Sequence, residues 1–180
     1  LADPAHSRLY VLDSSNNRLL MFDLTVTIAN GLNANNVLGQ TTFTATTAAS
    51  TLAGMNTPRG LAYDSANQRL YVSQTTGNRV TTYDVAAITD GENAVNVLGQ
   101  ANFTTATAAT TQAGMNAPRG LAYDDANQRL YVSQTTGNRV TTYDVAAITN
   151  GENAINVLGQ SLFTGTTAAN TQAGMNAPAG

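Results

Sequence analysis

Residues 115–144 read MNAPRGLAYDDANQRLYVSQTTGNRVTTYD, and residues 55–84 repeat that stretch almost letter for letter. A third, looser copy opens the chain, with Arg8-Leu9-Tyr10-Val11, Asn17-Arg18-Leu19 and Phe22-Asp23 in the matching places. Working outward from the stretch, the chain divides into three units of sixty residues, 1–60, 61–120 and 121–180. The second and third units differ only at positions 65, 90, 95, 101, 102, 105, 106, 110 and 119 of the former. A fixed long period means that each unit is one supersecondary element, burying its apolar face on its neighbours.

Four strands can be read in the second unit, and again in the third. The first covers 61–63, the second 69–73, the third 79–84 and the fourth 94–98. Leu70-Tyr71-Val72 is apolar on both faces, which suits a sheet sandwiched between two others. The third strand alternates, with Val80 and Thr82 on one face and Thr81 and Tyr83 on the other. Asp64-Ser65-Ala66-Asn67 supplies turn chemistry after the first strand, and Thr75-Thr76-Gly77-Asn78 does so after the second, with Gly77 free to take positive φ. Residues 85–89 are expected to form one helical turn stopped by Gly91. The first unit lacks the tyrosine found at Tyr63 and Tyr123, which shortens its first strand by one residue.

Within this pattern, N-x-P-R-G-L-A-x-D, then R-L-Y-V, then N-R-V and an aromatic-Asp pair resemble the NHL repeat. The likeness spans about half of each unit, and N-V-L-G-Q-x-x-F resembles extensions common in bacterial NHL proteins. The resemblance implies an all-β fold of β-propeller blades, three four-stranded antiparallel blades per chain, with blade 1 diverged and all three in one partial propeller domain. The family residue at the exit of the second strand is Asp. Asp13 keeps it, whereas Gln74 and Gln134 replace it, so a ligand contact that needs a carboxylate there is in doubt in the later units.

A long connection, 101–118, leads from each fourth strand to the next unit. It is rich in Thr and Ala, with anchors at Phe103 (Phe43 and Phe163 elsewhere) and Met115 (Met55, Met175). It reads as a cover for the blade's outer edge, since exposed sheet edges invite strand addition. A binding device or a brace against a neighbouring molecule are the other readings.

Charge narrows the function. The chain carries 8 Lys plus Arg against 11 Asp plus Glu, a net charge of −3, and every basic residue is Arg. That balance argues against nucleic acid, whose affinity rests on clustered cations. Cys is absent, which excludes a disulfide framework and a thiolate metal site. No apolar run reaches the length of a membrane span. The chain opens at Leu1 inside the repeat motif, so it reads as a processed product, a fragment or an engineered excerpt.

No catalytic signature emerges: no G-x-S-x-G, no phosphate-cradling loop and no metal-spaced carboxylates. His6, the single histidine, reads as a solvated turn residue. A metal-dependent lyase is known among NHL-like propellers, but its site draws on several histidines. Near-identical units also disfavour catalysis, which needs different groups converging. No catalytic residue, metal or cofactor is therefore expected. The arginines recur with the period, and the structural reading pairs them between blades with the periodic Asp23, Asp84, Asp144, Asp64 and Asp124. The functional reading places a ligand on Arg59, Arg119, Asn78, Asn138, Gln74, Gln134 and Asp13. Asn102-Phe103-Thr104 is a lone glycosylation sequon, read as incidental.

The resulting expectation is a non-enzymatic NHL-type module for binding, scaffolding or self-assembly, extracellular or at the cell surface, with an unidentified ligand. The alternatives are a structural repeat of a longer fibre, an excised piece of a propeller, and an NHL-like lyase domain. Propellers close with four to eight blades. Three blades per chain therefore point to a homo-oligomer, two chains closing a six-bladed ring, or to open self-assembly.

Overall fold

The computed structural model describes all 180 residues. The first sheet contains β1 (Ala2–Asp3), β2 (Arg8–Asp13), β3 (Arg18–Asp23) and β4 (Asn36–Leu38). The second contains β5 (Pro58–Asp64), β6 (Arg69–Gln74), β7 (Arg79–Asp84) and β8 (Asn96–Leu98). The third contains β9 (Pro118–Asp124), β10 (Arg129–Gln134), β11 (Arg139–Asp144) and β12 (Asn156–Leu158). Each sheet is an antiparallel meander in chain order. The chain is all-β, three blades of a β-propeller.

Side-chain chemistry sets each hairpin. Asp64 accepts the Asn67 backbone N–H at 3.0 Å and its side-chain N–H at 2.8 Å, closing the turn into β6. In the next turn the positive φ falls on Asn78 (48°), not on Gly77 as the sequence reading expects. Asn accepts the left-handed region at low cost because its amide can hydrogen-bond locally, and this one donates to the Thr76 carbonyl at 3.2 Å.

The blades stack through the strand faces that the apolar pattern indicates. Leu70, Val72, Tyr83 and Val85 of the second blade face Tyr10, Leu19, Met21 and Leu38 of the first, all buried. From the other side, Ala62, Tyr71, Val80 and Leu98 meet Leu130, Val132, Tyr143 and Val145 of the third. Every blade thus has a rear face and a forward face of different composition. At the seam between β5 and β9 the backbones approach so closely that a Cβ on Gly60 would lie 2.1 Å from the Arg119 carbonyl oxygen.

Three local expectations need correction. The first strand of the second and third blades begins at Pro58 and Pro118, three residues earlier than the apolar run suggests, because a β-bulge carries the pairing past the Arg-Gly step. The fourth strand is shorter, Asn96–Leu98, and residues 85–89 form no helical turn. The helical piece lies instead at Ser14–Asn16, a single 3-10 turn.

The outer edge of the fourth strand is closed by the next blade rather than by the long connection. Val37 donates its N–H to Asp90 Oδ1 at 3.0 Å and accepts from the Gly91 N–H at 2.9 Å. Val97 makes the same pair with Asn150 Oδ1 and the Gly151 N–H. The long connection folds back on itself, with Ala109 N–H on the Met115 carbonyl at 2.9 Å, and buries Met55 and Met115 completely. It is an inter-blade packing element.

Candidate functional site

The exits of β6 and β10 and the bulges at the start of β5 and β9 build a polar cleft. Ser73 Oγ accepts the Gly60 N–H at 2.8 Å and donates to the Arg119 carbonyl of the next blade. Thr75 Oγ1 donates to the Pro118 carbonyl at 2.8 Å. These bonds fix the bulge on which each Arg sits, and a bulge re-aims its side chain out of the ladder. Arg59 and Arg119 are consequently exposed. They flank a cleft of 290 Å³ whose other walls are Thr75, Ala117, Thr135 and Thr136. The chain's two ion pairs, His6–Asp3 and Arg18–Asp13, involve neither arginine. The cleft therefore offers two free guanidinium forks, the donor set for a carboxylate, while the Thr75 and Thr135 hydroxyls already donate to the Pro118 and Pro178 carbonyls.

The remaining sequence candidates lie elsewhere and are occupied. Gln74 and Gln134 are fully buried. Gln74 Oε1 accepts from Arg79 Nε at 3.1 Å and from the Asn56 N–H at 2.9 Å, while its amide donates to Thr81 Oγ1 at 2.8 Å. Asn78 and Asn138 accept the backbone N–H of Ala117 and Ala177. Their amides donate to the Ala106 and Thr166 carbonyls, which staples the long connection to the turn between the blade's second and third strands. Asp13 accepts from Arg18 Nε at 2.8 Å and from the Asn16 amide. The Asn16 hydrogen bonds, and then Arg18, hold its carboxyl below the ordinary value despite partial burial.

The buried arginines differ from the expected inter-blade Arg–Asp pairs. Arg79 and Arg139 are fully buried, and neither touches a carboxylate. Arg79 Nη2 donates to the Thr51 carbonyl at 3.1 Å and the Gly54 carbonyl at 3.0 Å, both in the connection before its blade. Its Nη1 donates to the Phe103 carbonyl, in the connection after it. Arg139 repeats this with Thr111, Gly114 and Phe163. Burial pushes both guanidinium pKa values down, yet a guanidinium stays charged, so carbonyl dipoles carry the compensation. Arg8 and Arg69 likewise reach across a seam to carbonyls, Val85 and Val145. The planar fork suits these divergent acceptors; the period alone could not tell a carbonyl partner from a carboxylate.

His6 is exposed in its turn, as expected, and is also bonded there. Its Nδ1 lies 2.9 Å from Asp3 Oδ2, which also accepts from Tyr63 OH of the next blade at 2.9 Å. Burial, and then the Asp3 hydrogen bond, raise the Tyr63 hydroxyl far above its ordinary value. Three or more His, Cys, Asp or Glu side chains do not converge anywhere in the chain. Nor is any helix long and apolar enough to cross a membrane.

Comparison with known proteins places the fold alone. No protein-family model matches the chain. No curated protein matches it either. Among solved structures, it is similar to U3-55K at 11% identity and a TM-score of 0.58, over 88% of this chain and 37% of that one. It is similar to the Kuenenia stuttgartiensis hydrazine synthase at 12% identity and a TM-score of 0.55, over 88% and 34%. A chain of the nidogen/laminin complex aligns at 15% identity and a TM-score of 0.52, over 87% and 44%. The chain therefore spans less than half the length of each of these structures.

Proposed function

We propose that this chain is a non-enzymatic, NHL-type propeller module that binds an acidic segment of a partner protein in the cleft between Arg59 and Arg119, outside the cell or on its surface. One observation carries the reading: of the periodic arginines, these two are exposed, unpaired and turned into the same hydroxyl-lined cleft. Paired forks in a shared cleft suit carboxylates, which they hold bidentately. Nucleic acid is the poorer ligand, because phosphate binding draws on many cations and the chain as a whole is acidic. The propeller likenesses fit an interaction module, and nothing in the cleft supplies a nucleophile or a general base.

The test is a calorimetric titration with a glutamate-rich peptide, repeated on R59A/R119A. The expected result is binding that weakens at least tenfold in the double variant and falls with salt, at an unchanged melting temperature. Equal binding by both proteins refutes the site.

A second reading, self-assembly into a homo-oligomer, is favoured by a separate observation. The chain leaves one forward face and one rear face open. Leu158 is 49% exposed where Leu98 of the second blade is fully buried, and Ile28 is 70% exposed where Ile88 packs against the core.

A further inference from the structure

The same contacts are made twice inside the chain, where the second blade seats on the first and where the third seats on the second. From the incoming blade, Gly91 N–H donates to the Val37 carbonyl and Gly151 N–H to the Val97 carbonyl, both at 2.9 Å. Asp90 and Asn150 receive the N–H of the same valines. Ala94 N–H donates to the Leu52 carbonyl and Ala154 N–H to the Gln112 carbonyl, again at 2.9 Å. Arg79 and Arg139 enter the Thr51/Gly54 and Thr111/Gly114 carbonyl pairs. In the reverse direction, Arg8 and Arg69 reach the Val85 and Val145 carbonyls of the incoming blade.

The third blade carries the receiving half of this set: Val157, the Gln172 carbonyl, the Thr171/Gly174 carbonyl pair and Arg129, with the Thr171 carbonyl here accepting the Gly174 N–H at 3.1 Å. Beside them opens a cleft of 320 Å³ walled by Leu158, Gln172, Gly174 and Met175. At the matching positions, Leu98 and Met115 are fully buried. The first blade carries the entering half. Residues 24–35 are diverged from their counterparts, yet Ile28, Asn30-Gly31 and Ala34 stand where the later units have Ile88, Asp90-Gly91 and Ala94. Asn30 and Gly31 are exposed and make no contact within the chain comparable to those of Asp90 and Gly91. Arg18 donates to the Phe43 carbonyl and Asp13, and makes no bond matching those of Arg79 to the Thr51 and Gly54 carbonyls. An unpaired sheet edge and an open apolar face are liabilities that a seated partner removes.

We infer that a second copy of this chain seats the rear face of its first blade on the forward face of the third, in the register of the two internal seams, and that two such junctions close a ring of six blades. This rests on the self-assembly reading above and gives it an atomic register. The second copy's Asn30-Gly31 pairs with Val157, its Ala34 N–H with the Gln172 carbonyl, and its Arg18 with the carbonyls of Thr171 and Gly174. Arg129 takes the Leu24 carbonyl. Continuity with the internal seams selects this occupant, since each seam already shows which groups fit that face. One bond is lacking at the junction: Tyr63 donates to Asp3 at the first seam, and the first blade has no tyrosine to reach Asp124. A two-fold dimer makes both junctions identical, each surface used once per chain.

Two measurements separate self-association from its register. Light scattering after gel filtration is expected to give twice the chain mass. L158E and I28E, both at sites exposed within the chain, are each expected to give the chain mass with an unchanged all-β circular dichroism spectrum. The chain has no cysteine, so the double variant A34C/Q172C is expected to yield a covalent dimer on mild oxidation, while each single variant does not. Q112C/A154C, the same pair across an internal seam, serves as the control and is expected to oxidise within one chain. A wild-type monomer overturns the self-assembly reading itself. A dimer that survives L158E and I28E, or that fails to cross-link while the control does, overturns the register and leaves self-assembly standing. A polydisperse polymer overturns ring closure.

Discussion

Replacing Arg79 by Lys tests whether the seams are held by a guanidinium fork rather than by charge. The variant keeps the positive charge and most of the apolar stem. It loses the planar spread that reaches the carbonyls of Thr51, Gly54 and Phe103 together with Gln74 Oε1. An ammonium donates from one point, so about two of the four acceptors are left without a donor in a buried site. At about 1–3 kcal/mol for each unsatisfied buried acceptor, R79K is expected to cost about 2–6 kcal/mol. R139K is expected to cost the same, because Arg139 makes the same contacts with Thr111, Gly114, Phe163 and Gln134. R18K is the internal contrast when both variants are measured in the I28E background, which keeps the chain single: there Arg18 holds a partly exposed Asp13 and a single carbonyl, so the loss is expected to stay at ~1 kcal/mol. Urea unfolding followed by circular dichroism reads all three, with a constant m-value showing that only stability moved. Equal losses for R79K and R18K would refute the argument, since charge alone would then account for both.

Three further outcomes follow from single positions. G60A is expected to destabilise by about 1–3 kcal/mol, because overpacking against an immovable carbonyl forces the backbone apart; G180A, with open space around it, is expected to change nothing in the same thermal melt. N78A is expected to lose more than N78G: both forfeit the bond to the Ala117 N–H, but only alanine adds about 1–2 kcal/mol for a left-handed backbone. Equal urea midpoints for the two would show that the 48° φ carries no strain. Asp13 has a folded pKa lowered below 3.8, so its contribution to stability is present above that pH and disappears as pH falls through the folded value. D13N is therefore expected to flatten the acid limb of a stability–pH curve measured from pH 6 to 2, and an acid limb parallel to that of the wild type would count against the Asp13–Asn16–Arg18 cluster.

Strand existence, strand order and the two-faced burial of Leu70-Tyr71-Val72 were legible, because alternation and period depend only on which side chains are apolar. The bulge before Leu61 was not, because Pro58-Arg59-Gly60 has no apolar alternation and the cue is the Ser73 hydroxyl thirteen residues away. Residues 85–89 misled for a related reason. Ala-rich sequence favours helix locally, but the loop between β7 and β8 is pulled extended by Asp90 and Gly91 bonding the neighbouring strand edge. At the candidate site, Arg59 and Arg119 stood out through their period, whereas Thr75, Thr135 and Thr136 had no signal beyond a turn composition. Gln74 and Asn78 carried the same period as the arginines. Only the surrounding packing separates a side chain aimed at solvent from one that braces the backbone.

The seams also bear on how such an array changes over time. Each unit is both lock and key for its neighbours, so an altered key fails in every lock it meets unless all change together. Of the nine positions at which the second and third units differ, none is buried in the second unit. Variation has collected outside the buried seams, and where it touches one, at Asp90 and Asn150, the acceptor oxygen is kept; a copy inserted or removed in whole units would find its fittings already cut.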